Sequence, residues 1–329
     1  MRLAISTSLA ILAIAPAPVP AQGPRVDYHQ HLFSPAAAAL VSGDSSARGL
    51  SARDLIALLD SAHIQKALVL SVAYTWGKAS RAPVPHEYAH VKAENDWTAR
   101  QVARYPARLR AFCSINPLKP YALAELARCS RSPELRHGLK LHFGNSDVDL
   151  DNAANVTQVR KVFRSANRHR MPIVVHLHTS RDLHRRYGAD EARVFLTELL
   201  PAAPDVPVQI AHLAGSGGYD DTTDAALGVF ADAVARHDPR MKKVWFDAAA
   251  VVTPRLSADQ LRTIADRIRQ IGVGRVLYGS DAAVTPETYP SAGWAAFRRL
   301  PLSEAELQAI ASNLTPYMRG TAARPPRRR

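Results

Sequence analysis

Thirteen histidines occur in the 329 residues, and two of them, His29 and His31, stand two apart in the stretch VDYHQH. On a strand, alternate side chains share a face, so the two Cα atoms lie roughly 6.5–7 Å apart and both imidazoles can lean onto one divalent cation. Chance alone supplies about 0.5 such H-x-H pairs in a chain with this many histidines. A second pair, His176-Leu177-His178, makes the same point. The informative feature is what falls at the ends of other apolar runs: His176 closes MPIVVH, His212 closes VPVQIAH, Asp281 follows RVLYGS and Lys140 lies within GLKLHF. Singly, each histidine reads as a hydrogen-bonded core or rim residue; together they form an ordered set of metal-ligand and proton-carrying types.

Such a set needs a scaffold that brings strand ends to one place. From Arg25 onward, short β-branched runs alternate with longer amphipathic ones. The expected strands are Val26–His31, Ala67–Val72, Leu109–Ile115, Gly138–Phe143, Ile173–His178, Val206–His212, Lys243–Ala248 and Arg275–Gly279. The expected helices are Ala52–Ala62, Tyr88–Arg104, Ala122–Cys129, Val156–His169, Ala189–Leu200, Thr223–Arg236, Ala258–Ile271 and Glu304–Ser312. Ser257 with Gln260, and Ser303 with Glu306, have capping-box spacing. Eight strand–helix units imply a parallel sheet, and the α/β class narrows to a (β/α)8 TIM barrel over a doubly wound open sheet. Neither a Gly-x-Gly-x-x-Gly turn nor a Walker loop follows the first strand, which removes the usual reason for an open nucleotide-binding sheet. Active sites of such barrels lie at the C-terminal strand ends, where all of these residues fall. The segments between His31 and Ser51 and from Tyr74 to His86 read as loops over that mouth.

The order His29, His31, Lys140, His176, His212, Asp281, with the wording PIVVH, IAHLAG and LYGSD, resembles the amidohydrolase superfamily. The resemblance extends to its amidohydrolase-related branch, which holds aminocarboxymuconate-semialdehyde decarboxylase, other nonoxidative decarboxylases and pyrone-dicarboxylate lactonases. It implies that His29, His31, His176 and Asp281 bind one catalytic metal, most often zinc, with His212 beside it as electrophile or proton carrier. It also leaves a two-metal site open, in which a carboxylated Lys140 bridges the ions and His176 and His212 serve the second. Asp281 and His212 are then the catalytic residues. Asp281 takes a proton from water and passes it on, while His212 supports the oxyanion or the leaving atom.

Residues near the expected mouth suggest the substrate. Tyr74 and Trp76 could stack on a planar ring, Arg181 could pair with a carboxylate, and His142, Asn145 and His178 stand beside them. Packing at the rim accounts for these types equally well. The partner implied is a small, carboxylated or aromatic molecule.

The ends of the chain carry separate signals. Arg2, an apolar run from Leu3 to Ala15 and small residues at Val19 and Ala21 read as a signal peptide over residues 1–21. That implies export to the periplasm or beyond, with no stable membrane insertion after cleavage. Residues 22–318 form the barrel and 319–329 a basic tail. The formal charge of +13 is scattered apart from that tail, and without a nucleic-acid-binding motif it reads as a solvated surface. Cys113 and Cys129 leave a disulfide open, and a homo-oligomer is equally open. The leading expectation is a metal-dependent hydrolase of an amide, ester or lactone. The alternatives are a nonoxidative decarboxylase using the same ligands and a noncatalytic barrel that only binds.

Overall fold

A computed structural model describes residues 23–282 and 288–319. The signal peptide expected at 1–21, and the expected basic tail apart from Arg319, lie outside the described residues. Eight strands follow one another round a single sheet: β1 Val26–Gln30, β2 Lys66–Leu70, β3 Leu109–Ser114, β4 Leu139–His142, β5 Ile173–His176, β6 Val208–Ile210, β7 Val244–Asp247 and β8 Val276–Leu277. Each pairs with the next in parallel. Between β8 and β1, the Tyr28 amide donates to the Tyr278 carbonyl and the Asp281 amide to the His29 carbonyl, both at 2.9 Å. The sheet is thus a nearly closed barrel wrapped by helices, consistent with the (β/α)8 expectation.

The first strand carries an irregularity that matters for the mouth. Asp27 pairs with Ala67 and Gln30 with Val69, so β1 spends one residue more than β2 over this interval. Val26 and Tyr28 join Leu68, Leu70, Phe112, Val174 and Leu277 in the cluster filling the barrel interior. Strict alternation would then send His29 and His31 toward the helices. The bulge reverses the face after Tyr28 and turns both histidines inward at the mouth. From the C-terminal segment, Tyr317 and Met318 join the same interior cluster. There the Tyr317 hydroxyl donates to Gln209 Oε1 at 2.5 Å.

On the opposite face of the strands, Ala67, Val69, Leu139, Leu141, Ile173, Val175, Phe246 and Val276 pack under the helices. Both expected capping boxes form, and Ser51 with Asp54 makes a third. The stretch between His31 and Ser51 is not all loop: Ser34 caps a helix over Pro35–Ser42, with proline at the first turn where its missing N–H costs nothing. A helix over Pro290–Phe297 also had no clear signal, because its residues lack an amphipathic pattern. The helix expected over 189–200 widens into a π turn over Phe195–Leu199 just before Pro201. Among the described residues, no helix is long and apolar enough to cross a membrane.

Cys113 on β3 and Cys129 on the helix Ala122–Cys129, 16 positions apart in the chain, form a disulfide with a Cα separation of 6.1 Å. Closing a loop of that size stabilises the fold by about 3 kcal/mol through the unfolded chain. A Cys113→Ala/Cys129→Ala variant is therefore expected to lose about that much in urea denaturation. Two free thiols on titrating the unreduced, unfolded wild-type protein would contradict the bridge.

Candidate metal centre

The mouth holds a cavity of about 470 Å³ lined by His29, His31, Phe33, Tyr74, Lys140, His142, His176, His212, Ser216, Ala250, Asp281 and neighbouring loop residues. Within it, ligand atoms of His29, His31 and Asp281 all lie within 4.8 Å of one another, as do those of His29, His212 and Asp247. Local chain geometry brings these groups together. A Cβ at Gly279 would sit 2.8 Å from the His29 Cβ, so only glycine lets the end of β8 approach β1 this closely. Strand β6 stops at Ile210, and His212 and Leu213 turn left-handed with φ of 55° and 48°. Asp281 is left-handed as well, with φ of 60°. Such conformations are costly for non-glycine residues and persist when surrounding bonds hold them; here the His212 amide donates to Asp247 Oδ1 at 3.0 Å.

Three rings have defined protonation at Nδ1. His31 Nδ1 lies 2.7 Å from the Leu70 carbonyl, and His212 Nδ1 lies 2.7 Å from that of Ala249. A carbonyl only accepts, so both Nδ1 atoms carry hydrogen and, in the neutral ring, Nε2 keeps its lone pair. His29 Nδ1 is 3.1 Å from the Asp247 carboxylate, which orients that ring in the same way. Burial, aided by the charge of Lys140, holds His29 and His31 down at about 3. Both rings are therefore neutral at pH 7 and able to ligate.

Asp247 is the functional-type residue that the reading of the sequence missed. Its carboxylate also accepts from Gln209 Nε2 at 2.6 Å and the Ala249 amide at 3.1 Å. Burial acts to raise its pKa, but His29 and the surrounding donors outweigh that and hold it below the usual carboxylate range. The available signal was position: Asp247 ends β7 just as His176 ends β5. Asp27 has a parallel role between β1 and β8, where it accepts from the Ser280 hydroxyl at 2.6 Å and the His29 and Ser280 amides at 3.1 Å.

The donor set suits a divalent cation. Neutral imidazoles and a carboxylate are the ligands of zinc and related ions. One Asp281 carboxylate oxygen, Oδ1, is buried without a hydrogen-bond partner and lies 3.6 Å from His31 Nε2. An unmet carboxylate oxygen beside neutral imidazoles is costly in the protein alone, and a cation there would satisfy it.

The remaining candidates fall into three places. Lys140 is fully buried, with Nζ 3.4 Å from His29 Nε2, and burial lowers its pKa to about 8 against the pull of Asp247 and Asp281. His176 and His142 stack at 3.8 Å in the cavity wall, His176 also meets the edge of His212, and Tyr74 lies against His142. Outside both tight groups, His176 nevertheless shares their cavity. Asn145 and Arg181 line an adjoining cleft. His178 stacks on Tyr187, and Trp76 stacks on His90 at 4.3 Å in a buried side cluster, so neither side chain lines the main cavity.

A family model described as Amidohydrolase matches residues 26–313. No curated protein matches the chain in sequence. Among solved structures, the chain is similar to 2,6-dihydroxybenzoate decarboxylase from Rhizobium, at 17% identity and a TM-score of 0.61, covering 88% of this chain and 96% of that one. It is similar to 5-carboxyvanillate decarboxylase from Novosphingobium aromaticivorans, complexed with manganese and 4-hydroxy-3-methoxy-5-nitrobenzoic acid: 15% identity, TM-score 0.57, coverage 88% and 94%. A third is a probable 2-pyrone-4,6-dicarboxylic acid hydrolase from Acinetobacter baumannii with citric acid bound, at 15% identity, a TM-score of 0.57 and coverage of 87% and 96%. At these identities the likeness speaks to the fold.

Proposed function

The chain belongs to the amidohydrolase family, and from that premise we propose that it is a divalent-metal-dependent hydrolase opening an amide, ester or lactone of a small carboxylated ring compound. The observation carrying this reading is the buried, unpartnered Oδ1 of Asp281 beside neutral His31. His29, His31, Asp281 and His176 would hold the ion, and the predominance of imidazole favours zinc. When bound, the ion supplies Lewis-acid polarisation and eases deprotonation of water.

The chain's own groups do the rest. Asp281 accepts the proton of the attacking water and returns it to the leaving atom. His212, its Nδ1 hydrogen committed to Ala249, offers Nε2 to that same proton or to the developing charge. Asp247 holds His29 in the ligating tautomer. Phe33 and Tyr74 flank the space for a ring. Lys140 makes no ion pair among the described residues and would face the substrate's anionic group.

Lys140 also favours a second reading. A buried cation able to hold a carboxylate suits nonoxidative decarboxylation, in which carbon dioxide leaves and the ring carbon takes a proton from Asp281 or His212. Incubating the metal-loaded protein with lactones, amides, esters and aryl carboxylates separates the two. Ring-opened or free-acid product without gas is expected; stoichiometric carbon dioxide would replace the first reading with the second. We further propose export directed by residues 1–21; the buried Cys113–Cys129 disulfide supports an oxidising destination.

A further inference from the structure

A second cleft, of about 220 Å³, adjoins the main cavity and shares His142, His176 and Ser216 with it as common wall. Its other lining residues differ in kind from the Phe33, Tyr74 and Ala250 side of the main cavity. They are Lys78, Asn145, Thr179, Ser180, Arg181 and Asp182, with Gly144 at the base. A Cβ on Gly144 would meet the His178 and Thr179 carbonyls at 3.2 Å, so glycine lets β4's end and the loop after β5 meet there. At the shared wall, the Ser216 hydroxyl is buried and has no hydrogen-bond partner. A buried hydroxyl in that state has hydrogen-bonding capacity that the chain itself leaves unused.

The charges of the cleft are exchangeable. Lys78 Nζ pairs with Asp182 at 2.7 Å, and Arg181 pairs with Asp220 at 2.9 Å. Arg181 is 57% exposed, and ion pairs of that kind contribute little. Asp220 already accepts from the Thr223 amide at 2.8 Å and the Thr222 and Thr223 hydroxyls at 2.9 and 2.7 Å while capping the helix Asp221–Ala235. It therefore does not depend on Arg181, whose fork remains free to turn to a carboxylate. Two cations and one carboxylate line the cleft, with Asp220 behind Arg181, so an incoming carboxylate would take Arg181 by exchange with Asp220.

We infer that this cleft is a subsite for a second carboxylate, so that the substrate is a diacid with its ring in the main cavity and an acidic arm reaching past Ser216 to Lys78 and Arg181. The inference rests on the proposed ring-carboxylate reading. Titration calorimetry on the metal-loaded protein tests it without turnover, using benzoate, benzene-1,3-dicarboxylate, 3-(carboxymethyl)benzoate and 3-(2-carboxyethyl)benzoate. At least one diacid is expected to bind about tenfold more tightly than benzoate. The Lys78→Ala/Arg181→Ala variant is expected to lose that preference, and Asp182→Asn, which releases Lys78, to increase it. Equal weakening of benzoate and diacids in the double variant, or a weaker diacid preference in Asp182→Asn, overturns the assignment. A wild type that binds benzoate with no diacid preference overturns the cleft alone. One that binds none of the four overturns the ring-carboxylate reading and the cleft with it.

Discussion

Asp281→Asn is expected to lower turnover by about 10²–10⁴, the range lost when a positioned proton carrier is removed, and to weaken metal binding at the same time. The same substitution is expected to leave the metal-free protein about as stable as the wild type, because the attraction it removes from buried Lys140 offsets the desolvation it relieves. Asp281 Oδ1 has no hydrogen-bond partner in the folded chain, so replacing a partly buried carboxylate by a neutral amide relieves desolvation and breaks no hydrogen bond made by that atom. Metal content by elemental analysis, steady-state rates, and melting with and without chelator measure the three effects. A chelated variant that melts well below the chelated wild type would show that Asp281 serves the fold, and the functional assignment would fail.

Chelated protein is expected to lose stability steeply as pH falls from about 6.5 toward 4. His29 and His31 are held down at about 3, and His142 and His176 well below the ordinary imidazole value, by burial first and then by neighbouring positive groups. In the unfolded chain all four protonate near 6.5, so unfolding takes up protons below that pH and stability declines as pH drops. Asp27 acts in the opposite sense: burial raises it to about 6, and the folded chain keeps that proton longest between about 6 and 4. Asp247, depressed in the fold, adds its own loss only below the ordinary carboxylate range. These imidazoles, joined by His137, which burial holds down at about 4, outnumber Asp27, so the net effect between about pH 6 and 4 is a loss of stability as pH falls. Metal should move the transition to lower pH, because it competes with protons for His29 and His31. Urea midpoints that stay constant between pH 7 and 5 would contradict the neutral, buried state of these rings.

Much of this architecture is legible in residue order. The alternation of apolar runs and amphipathic stretches places all eight strands, and Ser257 and Ser303 mark helix starts that form as expected. The less legible parts have identifiable causes. The helix Pro35–Ser42 is nearly all alanine and small residues, so it lacks the polar–apolar contrast that reveals a surface helix. Trp76 and His178 follow β2 and β5, a placement that predicts mouth positions, yet each finds an aromatic partner to the side, His90 and Tyr187.

Composition and spacing alone determine that His29, His31, His176, His212 and Asp281 follow short strands of a parallel α/β chain, because hydrophobic periodicity is local and side-chain chemistry travels with it. Tertiary structure decides which of those groups meet. The bulge in β1 turns His29 and His31 inward, and Gly279 admits the end of β8 beside them. Asp247, from a strand more than 200 residues downstream, accepts from His29 and from the His212 amide across the barrel mouth. Those relations depend on register and closure between distant segments, and no local pattern encodes them until the barrel has brought the strand ends together.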